Sequence, residues 1–399
     1  MMKEVRYMKQ KIKKLIPKKV LEIAKKDLQY IKKLDCIILY TFYKIITKQN
    51  EKKVLFLSDS RSDLTGNFEF IYKRLEKEDF ILNTFLKRKI KDKKTLKEKN
   101  KLMKLIAESK YILIDDFYPL IYALHLRKNT EVIQVWHALG AYKTVGYARM
   151  GKVGGPTTYS LTHRNYTAAI VSSESIRKDY ALAFHMDINK VYATGIPRTD
   201  IFFDKNYEAE VTSRIYKKYP ILKGKKVILF APTFRGNGQN TAYYDFSKLD
   251  FKKIKDKFKD EYVFIVRPHP FTKNLCDMPE EDEFYVHLTE EREINDLLFI
   301  TDILITDYSS VIFEYGLLNR RTIFFVPDLE EYMESRDFFY PFEKYTYGTV
   351  TRNMKELIKA LESSKLDQKK LEEFKEYFMS ACDGHSTENF VQKFFLGDK

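Results

Sequence analysis

The sequence predicts an α/β protein of two Rossmann-like, doubly wound domains preceded by a basic helical segment. Three observations carry that expectation. First, eight short runs are apolar almost throughout: Val54–Ser58, Tyr111–Asp115, Val132–Trp136 and Ala168–Ser172, then Val227–Ala231, Tyr262–Arg267, Ile303–Asp307 and Thr322–Val326. Second, helix-length stretches separate them, the pattern of parallel strands covered on both faces. Third, 399 residues with 44% apolar and 32% charged side chains suffice for two cores at about 100–200 residues per domain. A disordered or collagen-like chain is excluded on the same grounds.

In chain order, residues 1–50 come first. They hold 14 Lys/Arg against 4 Asp/Glu, so two thirds of the formal charge of +15 sits in one eighth of the chain. Leu21, Ala24, Leu28, Ile31, Leu34 and Ile38 recur every three or four residues, with Lys25, Lys26, Lys32 and Lys33 between them. An apolar stripe edged by cations suits an anionic membrane surface. The alternative is a core-packing helix with a solvated lysine face, and the clustering of charge favours the membrane. The expected domains are then 51–210 and 211–385, the break falling in the polar, Lys-rich stretch Phe202–Lys225. Helices are expected at Met354–Ser363 and Lys369–Met379, and a last one over 386–399 that crosses back to the first domain.

Cys36, Cys276 and Cys382 show no metal-ligand spacing and are too few for a disulfide framework, which fits a reducing cytoplasm. The N-terminus does not read as a signal peptide. The most apolar stretch, Cys36–Thr47, is interrupted by Lys44 and is short of the roughly 18 residues a membrane span needs. A peripheral protein on the cytoplasmic face of the membrane is expected.

Ligands of doubly wound folds sit at the carboxyl ends of strands, and the informative residues fall there. His137 follows the third run and is a candidate general base, because an imidazole titrates near neutral pH; a structural histidine is the alternative. The stretch Gly146–Gly155 reads as a mobile loop without P-loop spacing. Arg198 follows the turn at Gly195–Pro197 and suits phosphate oxygens or an ion pair with Asp200. Lys143 and Arg198 are assigned to the acceptor side. In the second set, Thr233 and Arg235 follow one strand, and Arg267 and His269 follow the next. Together they are expected to form a cationic pocket for a diphosphate. Ser309 and Ser310 precede a helix start, where free N–H groups favour anions, although an ordinary N-cap explains them equally. Glu314, one turn on, is placed to accept from ribose hydroxyls. No metal motif stands at these strand ends, so no metal or cofactor is expected beyond a Mg²⁺ arriving with the substrate.

The ordered set VWHALGAYKTVGY, VYATGIPRTD, VILFAPTFRG, FIVRPHP and TDILITDYSSVIFEY followed by PDLEEY resembles the CDP-glycerol glycerophosphotransferase family, from about residue 110 to residue 385. The resemblance implies two domains of glycosyltransferase-B (GT-B) type facing a cleft. It implies transfer of a polyol phosphate from CDP-glycerol or CDP-ribitol to a hydroxyl of a membrane-linked acceptor, with release of CMP, in teichoic acid or capsular polymer synthesis. The acceptor would be an undecaprenyl-linked saccharide or a growing polyol-phosphate chain. The family's catalytic histidines map onto His137 and His269, and its donor-phosphate contacts onto Ser309, Ser310 and nearby basic residues. The sequence departs from the family where WHGTP becomes WHALG and where Tyr347-Gly348-Thr349 replaces a Pro-Gly-Pro. A GT-B enzyme using a nucleotide sugar is the alternative activity. A nucleic-acid-binding protein is disfavoured, because the positive charge is terminal and lacks interleaved aromatics. The retained histidines disfavour a scaffold that only binds CDP-polyols.

Overall fold

The computed structural model describes residues 17–87, 93–152, 154–236, 240–289, 291 and 293–397. The start of the expected basic segment, residues 1–16, and the side chain of Leu21 lie outside that set. The chain divides into two compact units. The first comprises Met1–His137, Thr144–Arg198 and His385–Lys399; the second comprises Ala138–Lys143 and Thr199–Gly384.

The first unit opens with two helices, α1 (Lys18–Ile31) and α2 (Leu34–Ile46). The apolar stripe expected from the sequence runs through this point, but the chain turns at Lys32–Lys33, where the Lys33 ammonium donates to the Pro119 carbonyl. Cys36 and Tyr40 of α2 are buried, whereas Ile23, Leu28, Ile31, Leu34, Ile38, Phe42 and Ile45 stay exposed. Among the described residues no helix is long and apolar enough to cross a membrane.

Six parallel strands follow: β1 (Asn50–Ser58), β2 (Ile81–Leu86), β3 (Ser109–Ile114), β4 (Glu131–Gln134), β5 (Ala168–Ile170) and β6 (Val191–Tyr192), in the order β2-β1-β3-β4-β5-β6. The order reverses between β1 and β3, which makes their carboxyl ends a switch point. Helix α3 (Asn67–Leu75) returns from β1 with Phe68, Ile71 and Leu75 buried. Helix α4 (Leu96–Glu108) begins on a reciprocal capping box between Thr95 and Glu98. The stretch expected to be a mobile loop is instead packed at its start: Gly146–Arg149 is a 3₁₀ turn with Gly146 and Tyr147 buried. A Cβ on Gly146 would lie 2.1 Å from the Ala183 carbonyl of α5 (Arg177–Phe184). The C-terminal helix Ser386–Val391 returns to this unit, with Glu388 ion-paired to Arg74 at 2.7 Å and Phe395 against Tyr111 at 4.6 Å between ring centroids.

In the second unit, β7 (Lys226–Phe230), β8 (Tyr262–Val266), β9 (Tyr285–Val286), β10 (Ile303–Thr306), β11 (Arg321–Phe325) and β12 (Thr349–Thr351) form a parallel sheet in the order β12-β11-β10-β7-β8-β9. Its switch point lies between β7 and β10. Ile228, Phe230, Phe264, Val266, Ile305, Ile323 and Phe325 build the core on one face. The chain enters this unit at Thr199, ahead of the expected break. Helix α6 (Lys205–Lys218) is fastened there by Arg214 to Asp296 at 2.6 Å and by Lys218 to Glu291 at 2.5 Å.

The segment Ala138–Lys143, expected in the first domain, is part of the second unit. Tyr345 donates its hydroxyl to the Ala141 carbonyl at 2.6 Å, and Phe339 N–H donates to the Tyr142 carbonyl at 2.9 Å. Gly140 sits at φ 60°, and a Cβ there would meet the Phe313 ring at 2.2 Å. Phe313 lies on α7 (Val311–Leu317) and stacks on Phe374 at 5.3 Å, so it has little room to give. Gly140→Ala is therefore expected to destabilise the second unit by about 1–3 kcal/mol through overpacking, read as a lower midpoint in urea.

Candidate active site

In the first unit the site is built at the switch point. Strand β4 ends at Gln134, and Trp136 turns the chain at φ 49°. A bulky residue in the left-handed region costs about 1–3 kcal/mol and persists only where its surroundings enforce it. Here they do. The buried Asn67 amide donates to the carbonyls of Val135 and Trp136, each at 2.9 Å, and Gln134 Oε1 accepts from Trp136 N–H at 2.9 Å. Arg198 donates Nη1–H to the next carbonyl, that of His137, at 2.7 Å.

The turn leaves the His137 side chain 42% exposed at the carboxyl edge of the sheet. Its Nδ1 lies 3.2 Å from the Asp115 carbonyl oxygen. A carbonyl only accepts, so Nδ1 carries the proton and the lone pair is on Nε2. Asp116 Oδ1 stands 3.8 Å from the same nitrogen, and Asp116 is itself held by Phe117 N–H at 2.6 Å and the Ser60 hydroxyl at 2.5 Å. The arrangement suits a base that accepts a proton at Nε2 while a carboxylate stabilises the resulting imidazolium.

In the second unit, three strand ends are tied together by carboxylates that are not among the residues expected from the sequence. Asp307, after β10, accepts from Thr233 N–H at 2.7 Å and Tyr308 N–H at 2.6 Å. Its other oxygen accepts from Arg235 Nη1 at 2.9 Å. Asp328, after β11, takes Arg235 in a fork, at 2.6 Å from Nε and 3.0 Å from Nη2. Burial pushes the Asp328 carboxyl up, but Arg235 more than offsets this and holds it below the usual range. Arg235 also lies over the rings of Tyr244, Tyr308 and Tyr332 at 4.9–5.2 Å. The charge of Arg235 is therefore matched by two acids. Arg267 is buried too and donates to the carbonyls of Thr289 and Glu291.

The expected cationic pocket thus differs in make-up. Lys143, which Ala138–Lys143 brings into this unit, holds its ammonium 5.5 Å over the Tyr332 ring. Burial lowers its pKa to about 8; Asp307 opposes the shift, and Arg336 and Arg235 add to it. His269 is lowered to about 4, by burial first and then by Lys143 and Arg267. Its Nδ1 accepts from Phe271 N–H at 3.1 Å, so at neutral pH it is an uncharged donor through Nε2. Ser309 and Ser310 are partly exposed at the start of α7, where Ser309 Oγ accepts from Val311 N–H at 3.4 Å. Glu314 is 3% exposed, so a ribose contact would require it to be uncovered. A cavity of about 580 Å³ lies alongside, lined by Arg235, Tyr243, Tyr244, Asp328, Tyr332 and Arg336 among others.

A model of the CDP-glycerol:poly(glycerophosphate) glycerophosphotransferase family matches residues 39–396. The chain belongs to this family. It is 46% identical to the teichoic acid poly(ribitol-phosphate) polymerase of Bacillus spizizenii, over 94% of this chain and 61% of that polymerase. The chain therefore spans less than two thirds of that relative's length. It is 37% identical to the teichoic acid ribitol-phosphate primase of the same organism, over 89% of this chain and 95% of the primase. Among solved structures, the wall teichoic acid polymerase TagF superposes with a TM-score of 0.72 at 21% identity, covering 92% of this chain and 95% of that one. At that identity the likeness is one of fold, and it agrees with the two doubly wound domains expected from the sequence. Asp116 was legible by the strand-end rule that found His137, since Asp115-Asp116 closes the run before it. Asn67 carried no such signal.

Proposed function

We propose that the chain transfers a polyol phosphate, ribitol phosphate in the first instance, from its CDP-activated form to a hydroxyl of a teichoic acid acceptor. The observation that carries this reading is the exposed His137 imidazole, with Nδ1 committed to a carbonyl and Nε2 basic, in a chain of this family. The choice of ribitol is supported by relatives at 41–46% identity that are named ribitol-phosphate polymerases, against 28–31% for those named for glycerol phosphate.

The first unit supplies the base. His137 Nε2 takes the proton of the acceptor hydroxyl, and the oxygen bonds to the phosphorus that carries the polyol. The bond from that phosphorus to the bridging oxygen breaks, and CMP leaves with the electron pair. The second unit supplies donor-side charge. Lys143, the Nε2–H of His269 and the backbone at Ser309–Ser310 stabilise the negative charge that builds on the departing phosphate. Positioning and charge stabilisation are what phosphoryl-type transfer demands of a protein. Exposed Ile31, Ile38, Phe42 and Ile45 on α1 and α2, set among lysines, support docking on an anionic membrane at its cytoplasmic face. An undecaprenyl-linked acceptor would be presented there.

The test is incubation with CDP-ribitol, CDP-glycerol or a nucleotide sugar, together with a lipid-linked disaccharide primed with polyol phosphate, followed by mass analysis. CMP release with increments of one ribitol phosphate is expected. Consumption of the nucleotide sugar alone would overturn the reading.

A further inference from the structure

The backbone before His137 is held in a conformation it would not adopt unaided. Trp136 lies at φ 49°, and the three carbonyls that follow β4 each receive a side-chain donor from another part of the first unit. Asn67, the first residue of α3, takes the carbonyls of Val135 and Trp136. Arg198 takes that of His137. The two are joined, since Asn67 Oδ1 accepts from Arg198 N–H at 3.2 Å. Asn67 is 2% exposed and uses both ends of its amide in this way.

We propose that Asn67 and Arg198 form a clamp that locks Trp136 in the left-handed region and thereby aims the His137 imidazole. Asn67 is a positioning residue: its amide is spent on backbone, and it acts on chemistry only through His137. The argument rests on the physical need for a donor at two converging carbonyls. Asp in its place offers no donor and sets a negative charge against them, and Ala leaves both unpaired in a buried setting. The same clamp gives Arg198 a role other than the expected acceptor-phosphate contact. This inference deepens the proposed reaction and rests on it only where turnover is read.

Trp136 is the only tryptophan of the chain, and its ring lies 4.3 Å from that of His137. Tryptophan fluorescence, excited where tyrosine does not absorb, therefore reports this turn without any substrate. Asn67→Ala and Asn67→Asp are expected to change the Trp136 spectrum in the folded protein. They should also lower kcat by about 10²-fold, a loss that a misplacement near 1 Å can produce, while KM for CDP-ribitol stays within about twofold. Arg198→Ala is expected to change the spectrum in the same direction. Folded Asn67 variants that keep the wild-type spectrum would overturn the clamp. Should they fail to fold, an unchanged spectrum in Arg198→Ala overturns it. A changed spectrum with undiminished turnover overturns the aiming of His137 when His137→Ala is itself inactive; when His137→Ala is also fully active, it is the proposed reaction that fails.

Discussion

His137→Ala is expected to fold normally and to lose at least about 10²-fold in turnover, within the 10²–10⁴-fold range typical of a lost general base. The structure separates the two effects cleanly. The side chain is 42% exposed and makes one hydrogen bond to protein, from Nδ1 to the Asp115 carbonyl, so its removal should cost no more than about 1 kcal/mol of stability. The clamp on the His137 backbone does not involve the imidazole. His137→Gln is a useful companion, because it retains polarity but cannot take up a proton at neutral pH. Steady-state CMP release, measured beside a urea unfolding curve, checks both expectations. Undiminished turnover by a folded His137→Ala protein would remove this residue from catalysis.

Arg235→Ala is expected to act mainly on stability, with a loss of about 3–5 kcal/mol in urea unfolding. That is the range for breaking a buried ion pair from one side. The arginine side chain is 12% exposed and the Asp307 side chain 1%, so its removal strands two carboxylates. Arg235→Lys should recover only part of the loss, because an ammonium cannot reproduce the fork to Asp328. The pH dependence has a definite sign. The carboxyl of Asp328 is held below its unfolded value near 3.8, so this contribution is present above that pH and is lost as the pH falls through the folded value. The Arg235→Ala variant should therefore show a shallower acid destabilisation than the parent. If Arg235 instead served chiefly as a phosphate ligand, the variant would keep its unfolding midpoint and lose donor affinity.

The sequence made the centre of each sheet legible and left its margins dark. All eight expected strands are present, and the four that were missed, β2, β6, β9 and β12, are the two edges of the two sheets. An interior parallel strand is covered on both faces and reads as an unbroken apolar run. An edge strand is shorter or half exposed: β6 and β9 have two residues each, and β2 is mostly uncovered, with only Phe85 buried. The candidate site divides in the same way. His137 and His269 were found because a strand end is a sequence position. What Arg235 does was not, because whether a guanidinium meets a phosphate or an aspartate depends on Asp307 and Asp328, 72 and 93 residues away. Lys143 was recognised but set in the wrong half, since nothing local says that Ala138–Lys143 leaves its neighbours to join Tyr345 and Phe313.

The return of His385–Leu396 to the first unit bears on how the molecule is made. Domains emerging from the ribosome generally fold in order, amino-terminal first. Here Phe395 completes the packing around Tyr111 and Phe80, and Glu388 completes that around Arg74. The surroundings of Phe80, Tyr111 and Arg74 are therefore completed only by residues translated after the second unit, and the apolar surface there lacks this cover until then.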